Sequence, residues 1–250
     1  MASVAMAFAA GAAPRLSADA ALDRLAAAMG GDALLTLRTL VVSSQVRRTT
    51  DLGTVDVPTR TSYAFPYAVR HEVTLLGRTI AMSSAPSAGA LFTDDGVQPL
   101  DDAGRVRVEQ ATMRNPVVLV KARLGRGFAA EAVGTESVDG KEADRVDVRQ
   151  HGHRTTLLVD REDGRLLALR YDLAGPGGAQ RRMTVRFDDW RRLPSGLVYP
   201  FAASGEEDGR RVFDVRVQEV ATDVAIDETQ FTGGLGHAGH GSPGGGQPRP

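Results

Sequence analysis

Apolar and polar residues alternate with a period of two over most of this chain. One run extends from Leu34 to Phe92, and a second run extends from Gly125 to about Val220. Such alternation is typical of antiparallel strands that have one face in water. Turn signals such as Asp95-Gly96, Asp139-Gly140 and Asp208-Gly209 separate the alternating segments. The pattern predicts a long antiparallel sheet of roughly ten strands.

Two segments break the alternation and indicate helices. Ser17 is a suitable N-cap for an apolar stripe at Leu22, Leu25 and Met29, which Gly30-Gly31 ends. In the middle of the chain, residues 101–124 lose the period of two, and Asn115-Pro116 is a good helix start. We therefore expect one helix before the sheet and a helical insert halfway along it.

These elements together predict the fold class. A sheet this long with one apolar face must curl or be covered by other elements. Because only two helical segments are available, we expect a mainly β (α+β) protein with a strongly curved antiparallel half-barrel and a small helical lid. Few other elements can fill the concave side, so the sequence favours a partly open hollow there.

The residues expected to line this hollow are large apolar residues on the alternating face. They are Tyr63, Phe65, Val73, Ile80, Met82, Leu167, Leu169, Tyr171, Val185, Phe187, Phe213 and Val215, with the helix Val117 to Leu124 as the lid. For any one of these residues the competing interpretation is ordinary packing against the helices.

The two ends of the chain differ from the middle in composition. Residues 1–16 are Ala-rich and apolar with no positive segment before them, so we interpret them as a leader or partial signal peptide. Residues 233–250 are rich in Gly, Pro and His, and such a segment cannot offset its ordering entropy by apolar burial. We therefore expect a folded domain at 17–232 followed by a disordered tail.

Charge and candidate chemistry narrow the function. The formal net charge of −1 gives no basic face for nucleic acid, and the absence of Cys excludes disulfides and Cys chemistry. His151 and His153 could supply half of a metal site, and the tail has His237 and His240, but no third ligand stands at a suitable spacing. We expect no metal, no cofactor and no catalytic site.

The order of the segments resembles a known family. The order is a helix, AMGGDALLTLRTL, a meander, a short helical pair, VDGKEADRVDVRQ, TLLVDREDGRLLALRYD, VRFDDWRRLPSGLVYPF and a closing IDETQF. Over residues 20 to 231 it resembles the LolA-like family of periplasmic lipoprotein carriers, and especially the outer-membrane lipoprotein-sorting proteins. The resemblance implies an unclosed half-barrel with helices as a lid. It also implies that Trp190, in the family's long hairpin, packs at the sheet rim.

The resemblance further implies an exported, periplasmic carrier for an acyl chain of a lipid or lipoprotein, with a membrane-bound donor or acceptor protein as partner. The alternative hypothesis is an envelope protein-interaction or regulatory module of the same fold, without lipid transfer. A carrier should have a continuous apolar cavity under the helices. An interaction module should have a filled core and an exposed patch.

Overall fold

The computed structural model describes residues 17–86, 88–150, 152–174 and 179–233. These residues form one antiparallel sheet of thirteen strands. The strands are β1 Thr39–Thr50, β2 Gly53–Ala64, β3 Ala68–Leu75, β4 Arg78–Ser84, β5 Gly89–Thr93, β6 Gly96–Pro99, β7 Phe128–Val138, β8 Lys141–Gln150, β9 His153–Asp160, β10 Leu166–Ala174, β11 Gln180–Arg192, β12 Val198–Glu207 and β13 Arg210–Thr222. The helices in these residues are α1 Ala18–Ala28, α2 Asp32–Leu35, α3 Asp102–Thr112, α4 Pro116–Ala122 and α5 Thr229–Thr232.

The order of strands in the sheet explains where the helices lie. Two meanders, β1 to β6 and β7 to β13, join through the pairing of β1 with β13, so β6 and β7 are the two edges of the sheet. The chain must therefore pass from one edge to the opposite edge between β6 and β7. It does so through α3 and α4, which pack against the concave face. The predicted fold class, an unclosed curved antiparallel half-barrel with a small helical part, is confirmed.

The main core lies between the concave face and the helices. Leu22 and Leu25 of α1, Leu34 of α2, and residues 117–120 of α4 are buried there against alternate residues of the strands. Ser17 caps α1 as predicted, with its hydroxyl accepting a hydrogen bond from the Ala20 amide. Leu34, which the alternation placed at the start of the strands, is instead in α2, and the sheet begins five residues later at Thr39.

A smaller cluster covers the convex face, and a β-bulge explains why Leu167 belongs to it. Leu166 pairs with Val159 and Ala168 pairs with Leu158, so the register shifts at Leu167. Leu166 then takes the concave position, and Leu167 packs with Ala168 against the outer cluster. The placement of Leu167 in the hollow is therefore corrected, because one extra residue in a strand reverses the face of its neighbours.

A local distortion without a change of register shapes the hairpin that contains the only Trp. Asp189 has a positive φ of 53° and stands unpaired between Asp188 and Trp190 in the ladder with β12. Trp190 lies beside Phe187, and their ring centres are 6.3 Å apart. Trp190 is partly buried against the main core, which agrees with the expected packing role.

The C-terminal segment packs on the opposite face of β3 to β5. The Ser83 hydroxyl donates to the Phe231 carbonyl at 2.5 Å, and Arg70 donates to the Gln230 carbonyl at 3.0 Å. Phe231 is only 2% exposed. Residues 1–16 and 234–250, which include the leader and nearly all of the predicted tail, lie outside the described residues. Among the residues described, none of the helices has the length and apolar character needed to span a bilayer.

Candidate functional site

The helical crossover is held to the sheet by one side chain at the junction of α3 and α4. Asn115 caps α4, because its Oδ1 accepts a hydrogen bond from the Val117 amide at 2.9 Å. Its Nδ2 donates to the Tyr63 hydroxyl at 3.2 Å and to the Tyr199 hydroxyl at 3.1 Å. Burial raises the pKa of Tyr199 to about 12 and raises the pKa of Tyr63 further, so both phenols are neutral. The junction thus contacts two distant strands, β2 and β12.

A second anchor fixes α4 near its C-terminal end. The Lys121 ammonium donates to the carbonyls of Leu34 and Leu35 at 3.2 and 2.8 Å and lies 4.9 Å from the centre of the Phe65 ring. Burial lowers the pKa of Lys121. Because α2 is one turn long, these bonds satisfy carbonyls that would otherwise have no partner in the helix. α4 is therefore attached at both ends.

An apolar cavity, the first hollow, lies on one side of the junction. It has a volume of about 260 Å³ and opens between α3 and the strands β2 to β4. Its apolar walls include Tyr63, Phe65, Val69, Met113 and Val118. Arg105 and Glu109, one turn apart on α3, contribute charged groups to the same cavity.

A second hollow lies on the other side of the junction, over β10 to β13. It has a volume of about 240 Å³. Its apolar walls include Tyr63, Tyr171, Val185, Phe187, Phe213, Val215 and Val217. Phe213 lies flat over Gly205 of the neighbouring strand, where a Cβ atom would collide with its ring. Tyr63 contributes to both hollows, so its side chain lies in the wall between them.

A third cavity, the cationic cleft, lies where β9 and β10 separate. The two strands pair with each other as far as Arg170 and Thr156. Beyond these residues β10 continues to pair with β11, and β9 continues to pair with β8. The cleft has a volume of about 380 Å³. Its charged and titratable lining residues are Arg114, Arg145, His153, Arg154, Arg170, Asp172 and Arg182. Met113 borders this cleft and the first hollow, while Arg114 and Tyr171 border the cleft and the second hollow.

The structure separates the twelve residues predicted from alternation into groups. Two of them line the first hollow, namely Tyr63 and Phe65. Six line the second hollow, namely Tyr63, Tyr171, Val185, Phe187, Phe213 and Val215, so Tyr63 lines both. Leu169 is fully buried in the main core and lines neither hollow. Met82 packs against that core, whereas Val73 and Ile80 pair with each other outside both hollows, with Ile80 48% exposed. Leu167 lies on the convex face.

The polar residues around the junction were not predicted as part of the site. The Asn115-Pro116 pair marked a helix start, but its two tyrosine partners are 52 and 84 residues away. Arg114 carried no signal in a chain whose basic residues are almost all Arg. A half-buried Arg before a helix cap is recognisable only when the strands opposite it are known.

The histidines give no metal centre in the part of the chain that is described. No group of three or more His, Asp or Glu side chains there could hold a metal ion. The Nδ1 atom of His153 lies 3.4 Å from the Gln110 side-chain nitrogen. His151, His237 and His240 lie outside the described residues.

Comparison with protein-family models and with curated proteins finds no match. Solved structures do match. An outer membrane lipoprotein-sorting protein domain from Vibrio parahaemolyticus has a TM-score of 0.59 at 8% identity, covering 88% of this chain and 99% of the other. LolA superfamily protein NE2245 from Nitrosomonas europaea has a TM-score of 0.60 at 13% identity, covering 87% and 98%. A DUF1329 family protein from Desulfovibrio piger has a TM-score of 0.60 at 10% identity, covering 87% of this chain and 98% of the other. The predicted resemblance to the LolA-like fold is confirmed.

Proposed function

We propose that this protein is an exported, non-enzymatic carrier that holds an acyl chain of a lipid or lipoprotein on its concave face. The observation that carries the proposal is the pair of apolar hollows, about 260 and 240 Å³, on the two sides of the helix junction. Tyr63 borders both. The LolA-like fold, which a lipoprotein-sorting domain also has, supports the same conclusion. Donor and acceptor proteins at the membrane would load and unload the chain.

The size of the hollows indicates how a long chain would enter. Ligand pockets usually have volumes of about 300–1,000 Å³, so each hollow alone is at or below the lower limit. A long chain would need both hollows and would have to displace the junction between them. That movement breaks the two hydrogen bonds from Asn115 to Tyr63 and Tyr199. We propose that α3, α4 and this junction form the lid.

The first step of this opening, the release of Asn115 from its two tyrosines, has a modest cost. Breaking each hydrogen bond costs a net of about 0.5–1.5 kcal/mol. Each methylene that leaves water contributes about 0.8 kcal/mol, so a chain of a dozen methylenes contributes on the order of 10 kcal/mol. The apolar gain exceeds the cost of releasing Asn115 from both tyrosines several times over.

The alternative, an interaction or regulatory module of the same fold, has one observation in its favour. Much of the concave side is filled, since α1, α2 and α4 bury their apolar residues against it and divide what remains into separate hollows. A carrier was expected to have a continuous cavity. Lipid binding by the purified protein decides between the two hypotheses.

The test is a titration of the full chain with a fluorescent fatty acid, together with mass spectrometry of lipid extracted from the natively purified protein. We expect saturable binding that Phe213→Asp abolishes, because the carboxylate replaces part of the apolar wall with a charged group. Leu52→Asp is the matched control, since Leu52 is fully exposed in the β1–β2 turn. Absence of lipid and of binding in the unmodified protein would contradict the carrier and leave the interaction module.

Export is tested separately. If residues 1–16 are a leader or partial signal peptide, N-terminal sequencing of the protein from the envelope fraction should begin downstream of them. Intact Met1 on protein from the cytoplasm would contradict export.

A further inference from the structure

The second hollow and the cationic cleft meet at Arg114, where an apolar wall changes to a charged one. Arg114 is half-buried at the junction, and its guanidinium carbon lies 3.7 Å from the centre of the Tyr171 ring. Both residues border the hollow and the cleft. A molecule lying in the second hollow would therefore have one end at this guanidinium.

The other arginines of the cleft already have carboxylate partners. Arg170 and Arg145 lie 2.5 and 3.6 Å from Glu136. Arg182 lies 3.3 Å from Asp172, and Arg154 is bonded to Asp147. Among the described residues no carboxylate forms an ion pair with Arg114. Its positive charge is the one in this cleft that the described side chains leave without a counter-charge.

Arg48 adds to the positive field at this place. Arg48 stands opposite Phe213 in the pairing of β1 with β13, and no described carboxylate forms an ion pair with it. The charges of Arg114 and Arg48 both lower the pKa of the Tyr171 hydroxyl, although burial, the larger cause, raises it. Glu207 also acts on Tyr171, but it is already paired with Arg181. The open end of the second hollow is therefore cationic.

We infer that the second hollow takes an amphiphile with a single oxyanion head, whose chain lies against Phe187 and Phe213 and whose head is bound by Arg114. This inference rests on the proposed function and specifies the class of lipid. A guanidinium binds a carboxylate or a phosphate through two parallel hydrogen bonds, which a neutral ester cannot reproduce. The same chemistry serves a fatty acid and an acidic phospholipid.

Burial supports this assignment. The low polarity around Arg114 lowers its pKa, but guanidinium groups stay protonated in proteins. A cation that has lost part of its hydration and has no carboxylate partner gains from a bound anion more than an exposed cation does. An anionic head would supply that partner.

The experiment compares the full chain with three variants at pH 8 by isothermal titration. The probes are tetradecanoic acid, its methyl ester, and inorganic phosphate as a head without a chain. The variants are Arg114→Gln, Arg114→Lys and the control Arg126→Gln, which removes an exposed cation outside the hollow. Circular dichroism spectra and thermal melting curves are recorded to check that each variant is folded.

We expect the unmodified protein to bind the acid about tenfold or more tightly than the ester, as expected for a charge-assisted hydrogen bond. Arg114→Gln should bring this ratio close to one while the affinity for the ester is unchanged. Arg114→Lys should keep part of the ratio, and Arg126→Gln should keep all of it. Phosphate should displace the acid only at millimolar concentration or above.

Three results would overturn the inference. The first is equal binding of acid and ester by the unmodified protein, which would leave the carrier proposal intact. The second is an acid-to-ester ratio that persists in Arg114→Gln. The third is displacement of the acid by micromolar phosphate, which would indicate a site for free phosphate. Binding of neither acid nor ester would instead contradict the carrier proposal itself.

Discussion

The two hollows have similar volumes and share Tyr63 as a wall, but the charges at their borders differ. The first hollow is bordered by Arg105 and Glu109, whose opposite charges add to zero. The second is bordered by Arg114, and among the described residues no carboxylate forms an ion pair with Arg114 or with Arg48, which pairs with Phe213 across β1 and β13. Similar apolar volume therefore gives two sites of different electrostatic character. Under the carrier proposal, shape would determine whether a chain can be held, and the border charge would determine which head group can accompany it.

The difference follows from the path of the crossover. Arg105 and Glu109 lie on one face of α3, where residues four apart are neighbours. Arg114 lies beyond the end of α3, in the junction that turns the chain towards α4. The junction is held against the sheet by Asn115, so Arg114 is placed over Tyr171, where no described carboxylate forms an ion pair with it. A junction residue can thus project a charge into a hollow that the helix itself leaves apolar.

The largest expected effect tests where the core ends and the second hollow begins. Leu169 is fully buried, so Leu169→Ala should lower the free energy of unfolding by about 2–5 kcal/mol. Phe213→Ala is the matched comparison, because Phe213 lines the hollow and is only half-buried. It should cost less stability and change lipid affinity more. Denaturant unfolding beside a fatty-acid titration measures both, and a small loss for Leu169→Ala would mean that the hollow extends to it.

The next effect concerns the wall between the hollows. Asn115→Ala removes the α4 cap and the donor to two buried hydroxyls, and should cost about 1–3 kcal/mol. The Tyr63→Phe/Tyr199→Phe double variant removes both acceptors together and keeps the cap, so it should cost less. Unfolding in denaturant compares the two. If the lid proposal is right, both variants should take up fatty acid faster than the unmodified protein.

Unchanged uptake rates in these variants would show that the junction does not control entry. In that case the two hollows would act as independent sites, and a titration should give two binding events rather than one.

A smaller effect isolates the second hollow. Gly205→Ala places a Cβ atom against the Phe213 ring, which must swing towards the hollow. We expect a loss of about 1 kcal/mol, since overpacking is relieved by movement of one side chain. Binding in the second hollow should weaken. Phe213→Leu in the same chain should restore it, and a binding defect that persists in the double variant would assign the effect to the backbone instead.

The sequence predicted the sheet well because alternation is a local property. It could not show the bulge at Leu167, because Leu166 and Leu167 are both apolar and either could face inwards. The site was harder to predict from the sequence, because it depends on pairs such as Asn115 with Tyr199, which lie 84 residues apart. Arg114 is one Arg among many in the sequence, and only the fold shows that none of the described carboxylates pairs with it. Local patterns gave the walls of the hollow but not its polar groups.

The smallest expected change in stability accompanies Arg114→Gln. The substitution loses a cation–π contact with Tyr171, worth about 0.5–1 kcal/mol at an exposed site and more when desolvated. It also removes a half-buried charge that has lost part of its hydration without gaining a carboxylate partner. These two effects oppose each other, so the free energy of unfolding should change by less than about 1 kcal/mol. Arg170→Gln is the sharp comparison, because its removal leaves Glu136 without its closest partner and should cost more. Urea unfolding at neutral pH measures the change in stability for both variants.

A loss of several kcal/mol for Arg114→Gln would show that Arg114 holds the junction in place. The charge difference between the two hollows would then serve the fold rather than the ligand.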